Sequence, residues 1–243
     1  MWLRAVVLAG SRGPWPPLLL ASLAGWGLLI AFGHPPVMVG LCSGRLFDPA
    51  GGLSGASLAL QVNGVAALAG CWALMLLAMT PPLLAQPLRR IWRGSLARRR
   101  GSVIAAFLLA YASVWMAAGA VLMAAAGVLG AAGAAGFAVA LGLVLAWSLL
   151  PLRRACLARA HSAPRLRIFG LAAQVDGLAY GARSGLWCVG ACWPLMLAPL
   201  LAGEWRLPVM AAAAAIMAAQ RLSPVSTLRW DPPLRQAGAW RPA

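Results

Sequence analysis

The chain has 243 residues, 62% of them hydrophobic and only 10% charged, and a mean hydropathy of +0.82. A soluble domain is about half apolar and about a quarter charged, so water is excluded as the main solvent. The formal charge is +16, from twenty basic residues, all of them Arg, against four acids. These arginines stand between long apolar runs, where positive charge sets orientation across a bilayer, and no nucleic-acid partner is expected.

In chain order, Arg4 and Arg12 precede the apolar run Pro17 to Phe32, which has the layout of a signal peptide without a small-x-small cleavage site. We read it as a retained first span. A hydrocarbon core about 30 Å thick needs about 20 helical residues. That measure predicts spans at 16–33, 61–85, 102–126, 131–150, 184–203 and 207–222. The expected fold is an all-α polytopic bundle of six spans in one domain, residues 1–224, with a flexible cytoplasmic tail at 225–243. Gly127, Gly130 and Gly133 mark a tight turn between the third and fourth spans. The segment 164–183 mixes Leu166, Phe169, Leu171, Val175, Leu178 and Tyr180 with polar residues, as an amphipathic helix on the inner surface or a plain loop would.

Arginine placement tests this topology independently. With both termini cytoplasmic, eighteen arginines fall on the inner side, and only Arg45 and Arg206 lie outside. The positive-inside rule requires such a split, and an odd number of spans would scramble it. A bacterial inner membrane is the expected location, with the lipid bilayer as the main partner.

Whole classes of chemistry are missing. There is no phosphate-binding glycine loop, no H-E-x-x-H helix and no G-x-S-x-G elbow. Asp48, Asp176, Glu204 and Asp231 all lie outside the predicted hydrocarbon depth, which removes the usual basis for proton relays and ion-coupled carriers. No catalytic constellation is legible, and the reading is non-enzymatic. The cysteines, Cys42, Cys71, Cys156, Cys188 and Cys192, are odd in number and partly inside apolar runs, which argues against a secreted disulfide framework.

Sulfur supplies the positive signal. Cys71, Met75 and Met79 in the second span, and Cys188, Cys192 and Met196 in the fifth, each recur every four residues. Four helical residues turn 400°, so each trio keeps to one face. Counted inward from the cytoplasmic ends, the two rows overlap in depth to within about 3 Å. Thiolate and thioether are soft donors that suit Cu(I), whereas Zn²⁺ lacks a His at this depth. His34, Met38 and Cys42 form an outer trio suited to metal entry. The competing reading is packing, since Cys and Met sit comfortably in apolar interiors. On that reading the chain is a structural or assembly subunit of a membrane complex. A thiol redox protein using Cys188 and Cys192 is a third reading, disfavoured by the axial offset of about 6 Å between residues i and i+4.

Three segments carry a resemblance. Trp72-Ala-Leu-Met75-Leu-Leu-Ala78-Met79-Thr80-Pro81-Pro82, Pro151-Leu-Arg-Arg-Ala-Cys156-Leu, and Gly185-Leu-Trp-Cys188-Val-Gly190-Ala-Cys192-Trp193-Pro-Leu-Met196 resemble, in order, the motifs of a bacterial family described as predicted metal-binding integral membrane proteins. The similarity spans roughly residues 60 to 224. It implies a membrane bundle with a metal-binding role. The chain departs from that family at Thr80, Ala160 and Ala191, which stand where a Met and two Cys are common, and at Gln220-Arg221, where Glu-Lys is usual.

Overall fold

The computed structural model describes residues 15–32, 52–96, 98–130, 132–162, 167 and 171–222. Among them are eight α-helices and no strand: α1 (Trp15–Phe32), α2 (Gly52–Met79), α3 (Pro81–Gly94), α4 (Arg100–Gly130), α5 (Ala134–Leu149), α6 (Pro151–Ala160), α7 (Ala172–Leu201) and α8 (Arg206–Leu222). A 3₁₀ turn, Gly203–Trp205, links the last two. The tail at 225–243 and the outer trio His34, Met38 and Cys42 lie outside the described residues.

Two helices, α4 and α7, are long and apolar enough to cross a membrane by themselves. The count rises to four if two bent pairs each make one span, and α1 is a shorter apolar helix. The bends are 69° between α2 and α3 and 73° between α5 and α6. Each falls at a proline, Pro81 or Pro151, which lacks an N–H and disfavours helical backbone in its predecessor. Leu150 accordingly has ψ 136°, in the extended region. At the first bend Thr80 instead keeps a helical ψ and its hydroxyl donates to the Leu76 carbonyl at 2.8 Å.

These bends change two expectations. The second predicted span, 61–85, does not continue straight; it stops at Met79, and its last residues open the amphipathic α3. That helix buries Leu83, Leu84, Leu88 and Ile91 and leaves Arg93 on its outer side. The described part of the predicted surface helix at 164–183 is no separate element: from Ala172 onward it forms the first turns of α7. The turn marked by glycines is present, with Gly133 at φ 56°, a left-handed conformation suited to glycine.

Helix α7 is the centre of the bundle, packed by α4, α5, α6 and α8. A helix apolar on every side belongs in such a position. Its closest partner is α4, and a glycine row explains why. Gly177, Gly181 and Gly185 recur every four residues on the face turned to α4. A Cβ at Gly177 would lie 3.0 Å from the Val103 carbonyl oxygen, one at Gly185 would lie 3.0 Å from Val114 Cβ, and one at Gly181 would fall onto the Phe107 carbonyl. Small residues at this spacing let helix backbones meet. Further along α4, the Trp72 ring of α2 lies over Gly119 and its Nε1–H donates to the Trp115 carbonyl at 2.8 Å. Helix α1 is tied to the end of α2 by Ser22, whose hydroxyl donates to the Ala78 carbonyl at 2.6 Å.

Candidate metal centre

The glycine row sets the position of the thiols. Cys188 lies seven residues beyond Gly181, two turns along the same face, and so it too is pressed against α4. There Tyr111 donates its hydroxyl to Cys188 Sγ at 3.4 Å. Cys188 and Cys192 stand one helical turn apart on α7 and are 5% and 4% exposed. Met196, one turn further, is fully enclosed at 0%. Trp115 adjoins the same thiol, and its indole Nε1 is buried without a hydrogen-bond partner.

Gly190 faces the opposite way, since two residues turn a helix by about 200°. A Cβ there would lie 3.1 Å from Cys156 Sγ, which places the α6 thiol behind α7, away from the pair. Burial pushes the Cys156 thiol above its ordinary value, with the Arg159 charge opposing the rise. This back-to-back arrangement separates the third free thiol from the other two. Among the described residues no three His, Cys, Asp or Glu side chains come together.

A polar knot closes the neighbouring end of the bundle. Gln86 Nε2 on α3 donates to the Arg221 carbonyl of α8 at 3.0 Å, and His161 Nε2, just past α6, lies 3.1 Å from the same oxygen. Arg90 donates to the His161 carbonyl at 2.7 Å. Three segments far apart in sequence, each carrying arginine, therefore meet at one end. Arg221 is 6% exposed, and among the described residues its Nε has no hydrogen-bond partner. Arg153 is also buried.

Of the six sulfur residues singled out in the sequence, Cys188, Cys192 and Met196 follow one another at single turns of α7, and these three together with Met75 and Met79 are interior. Helices α2 and α7 both lean on α4, however, and direct contact between them is slight at most. Cys71 is disulfide-bonded, with a partner outside the described residues, and as a half-cystine it offers no thiolate. Spacing alone gave no sign of this, because periodicity does not show which cysteine another approaches. Tyr111, Trp115 and Arg221 were not among the predicted site residues. Tyr111 did carry a signal, as one of two tyrosines in the chain and the one in mid-span.

Residues 69–233 match the family PpoB2, copper chaperone. The chain belongs to that copper chaperone family. The matched region contains all of α3 to α8 and the end of α2, and so every residue of the thiol pair and its surroundings. No curated protein and no solved structure matches the chain. For a member of a copper chaperone family, the donors of interest are the two buried thiols of α7 and the thioether one turn further on. These are soft ligands with no carboxylate among them, a set suited to Cu(I).

Proposed function

We propose that this protein carries Cu(I) as cargo on the Cys188–Cys192 pair, inside an integral membrane bundle of six passes, and is not an enzyme. The carrying observation is the placement of two interior thiols one turn apart on α7, followed by Met196 and with the Tyr111 hydroxyl on Cys188. Two sulfurs one helical turn apart can share a two-coordinate Cu(I), and Met196 supplies a third soft donor. Met75 and Met79 serve as further thioether donors on the α2 side, and Cys71 joins them only when its disulfide is reduced.

The copper family supports the choice of cargo. Exposed Leu20, Leu23, Leu109, Val121, Leu145 and Leu186 support a lipid-facing outer surface, since soluble proteins do not display so much apolar area. The meeting of α3, α6 and the end of α8 at one end supports grouping their arginines on one side, the cytoplasmic side of a bacterial inner membrane.

Metal analysis of purified protein, loaded anaerobically with Cu(I), tests the reading. Wild-type protein should hold stoichiometric copper, and the Cys188→Ser/Cys192→Ser variant should lose it. Retention of copper by the folded double variant rules the site out. A metal-free wild type that copurifies with a partner chain points instead to an assembly subunit.

A further inference from the structure

The two bent helices end at one level of the bundle. Helix α3 turns 69° from the line of α2, and α6 turns 73° from the line of α5. The Arg90 guanidinium of α3 donates to the His161 carbonyl, just past α6, at 2.7 Å, so the C-terminal ends of both helices meet. A helix turned that far from a span standing near the bilayer normal lies close to the membrane plane. Each buries one side, α3 through Leu88 and Ile91 and α6 through Leu157 and Ala160.

The other sides carry arginine and apolar groups and no acid. Arg93 stands three residues beyond Arg90, and Arg159 two residues before His161, and both are exposed. The Arg159 guanidinium lies 4.8 Å over the Trp187 ring, and Arg100, at the start of α4, lies 5.0 Å over the ring of exposed Trp92. No Asp or Glu occurs between Thr80 and Gly101 or between Pro151 and Ser162. Of the other acids, Asp176 is bonded to Arg167, Glu204 stands past the opposite end of α7, and Asp48 and Asp231 lie outside the described residues.

Positive charge interleaved with tryptophan, on helices lying flat, matches the boundary between lipid headgroups and acyl chains. Arginine suits phosphate in particular, because its planar fork gives two parallel hydrogen bonds to two phosphate oxygens. We infer that the junction of α3 and α6, through Arg93 and Arg159, binds the phosphate headgroup of an anionic phospholipid. A zwitterionic headgroup brings a cation of its own, which these arginines repel, so the junction selects by net charge. Lipid fits this surface better than an acidic protein does, because exposed Trp92 and Leu152 offer apolar contact to acyl chains beside the charges.

This rests on the membrane reading, whose failure is seen separately: a protein that stays dispersed in buffer without detergent removes both. Full-length protein in detergent is titrated with phosphatidylglycerol or phosphatidylcholine, and bound lipid is counted by native mass spectrometry. Wild type should hold phosphatidylglycerol about tenfold more tightly or better. Arg93→Gln and Arg159→Gln should each weaken that binding roughly fivefold, the share of one basic residue at an anionic surface, and leave phosphatidylcholine unchanged. Arg206→Gln removes the same charge past the other end of α7 and should change it less than about twofold. Equal binding of the two lipids by solubilised wild type overturns the inference and leaves the membrane reading standing. An equal loss in Arg206→Gln also overturns it, since the preference would then follow net charge and not this junction. If Arg159→Gln does not fold, Arg93→Gln decides by the same comparison. An acidic protein that copurifies with wild type in place of lipid, and is lost in both junction variants, overturns lipid as the occupant.

Discussion

Trp147 and Gly190 are joined by a hydrogen bond of 3.0 Å, in which the indole Nε1–H of α5 donates to a carbonyl in the middle of α7. That carbonyl would normally accept from the residue four further on, which is Pro194 and has no N–H to give. The proline thus leaves an acceptor open in α7, and a tryptophan from another helix closes it, edge-on to Trp193 at 5.5 Å.

The bond predicts a coupled pair of variants. Trp147→Phe should destabilise the protein by about 1–2 kcal/mol, because an acceptor in an apolar setting is left open. In the Pro194→Ala background, where the substituted residue brings a backbone N–H of its own, the same change should cost clearly less. Thermal unfolding of the four proteins in one detergent measures the coupling. Additive losses would mean that the indole does not replace the missing helical donor.

The glycine row predicts a graded series. Gly181→Ala drives a Cβ into the Phe107 carbonyl, a backbone atom, and should cost about 1–3 kcal/mol or more. Gly185→Ala meets mainly the Val114 side chain, at 3.0 Å, and should cost less. Gly70→Ala and Gly142→Ala, in helix interiors with open space around them, should be neutral or stabilising by about 0.5–1 kcal/mol. Melting temperatures check the order. Because the row also seats Cys188 against Tyr111, folded Gly181→Ala protein should bind Cu(I) more weakly.

Cys156 is expected to be the slow thiol. Burial raises it above the ordinary cysteine range and α7 covers it, so alkylation at pH 8 should lag far behind that of a free thiol. Its rate should climb when the protein is unfolded in denaturant. Mass spectrometry of pulse-labelled protein reads this directly, and prompt labelling of native Cys156 would contradict the packing against Gly190.

Asp176 and Arg167 should titrate as a pair at the start of α7. The Arg167 guanidinium, 2.7 Å from the carboxylate, holds Asp176 down to about 2. Since the folded value lies below the unfolded one, the contribution to folding is present above the ordinary carboxylate value and is lost as pH falls towards about 2. Carboxyl carbon chemical shifts should place the midpoint near 2, and Arg167→Ala should return it to the ordinary value. A midpoint already at the ordinary value in wild type would show that the ion pair does not persist in solution.

Much about this protein was set by properties that are local along the chain. Apolar run length and the scarcity of charge required helices suited to lipid, and four-residue spacing put Met75 with Met79, and Cys188 with Cys192 and Met196, on single faces turned inward. Pro81 and Pro151 were visible too, although their bends of 69° and 73° are conformations and not residue identities. The helix α3 was legible in principle, because Leu83, Leu84, Leu88 and Ile91 have helical spacing, but a length criterion tuned to spans passes over it.

Tertiary structure alone decided which helices the sulfurs face. Backbone approach at Gly181 brought Cys188 to Tyr111, the opposed faces of α7 kept Cys156 away, and a disulfide took Cys71 out of the thiol set. It also decided that the Arg221 carbonyl meets Gln86 and His161, from segments remote in sequence. The reason is physical. Periodicity orients a side chain about its own helix axis, whereas the neighbour it meets depends on how closely two axes approach and at what height, which is fixed by contacts between distant parts of the chain.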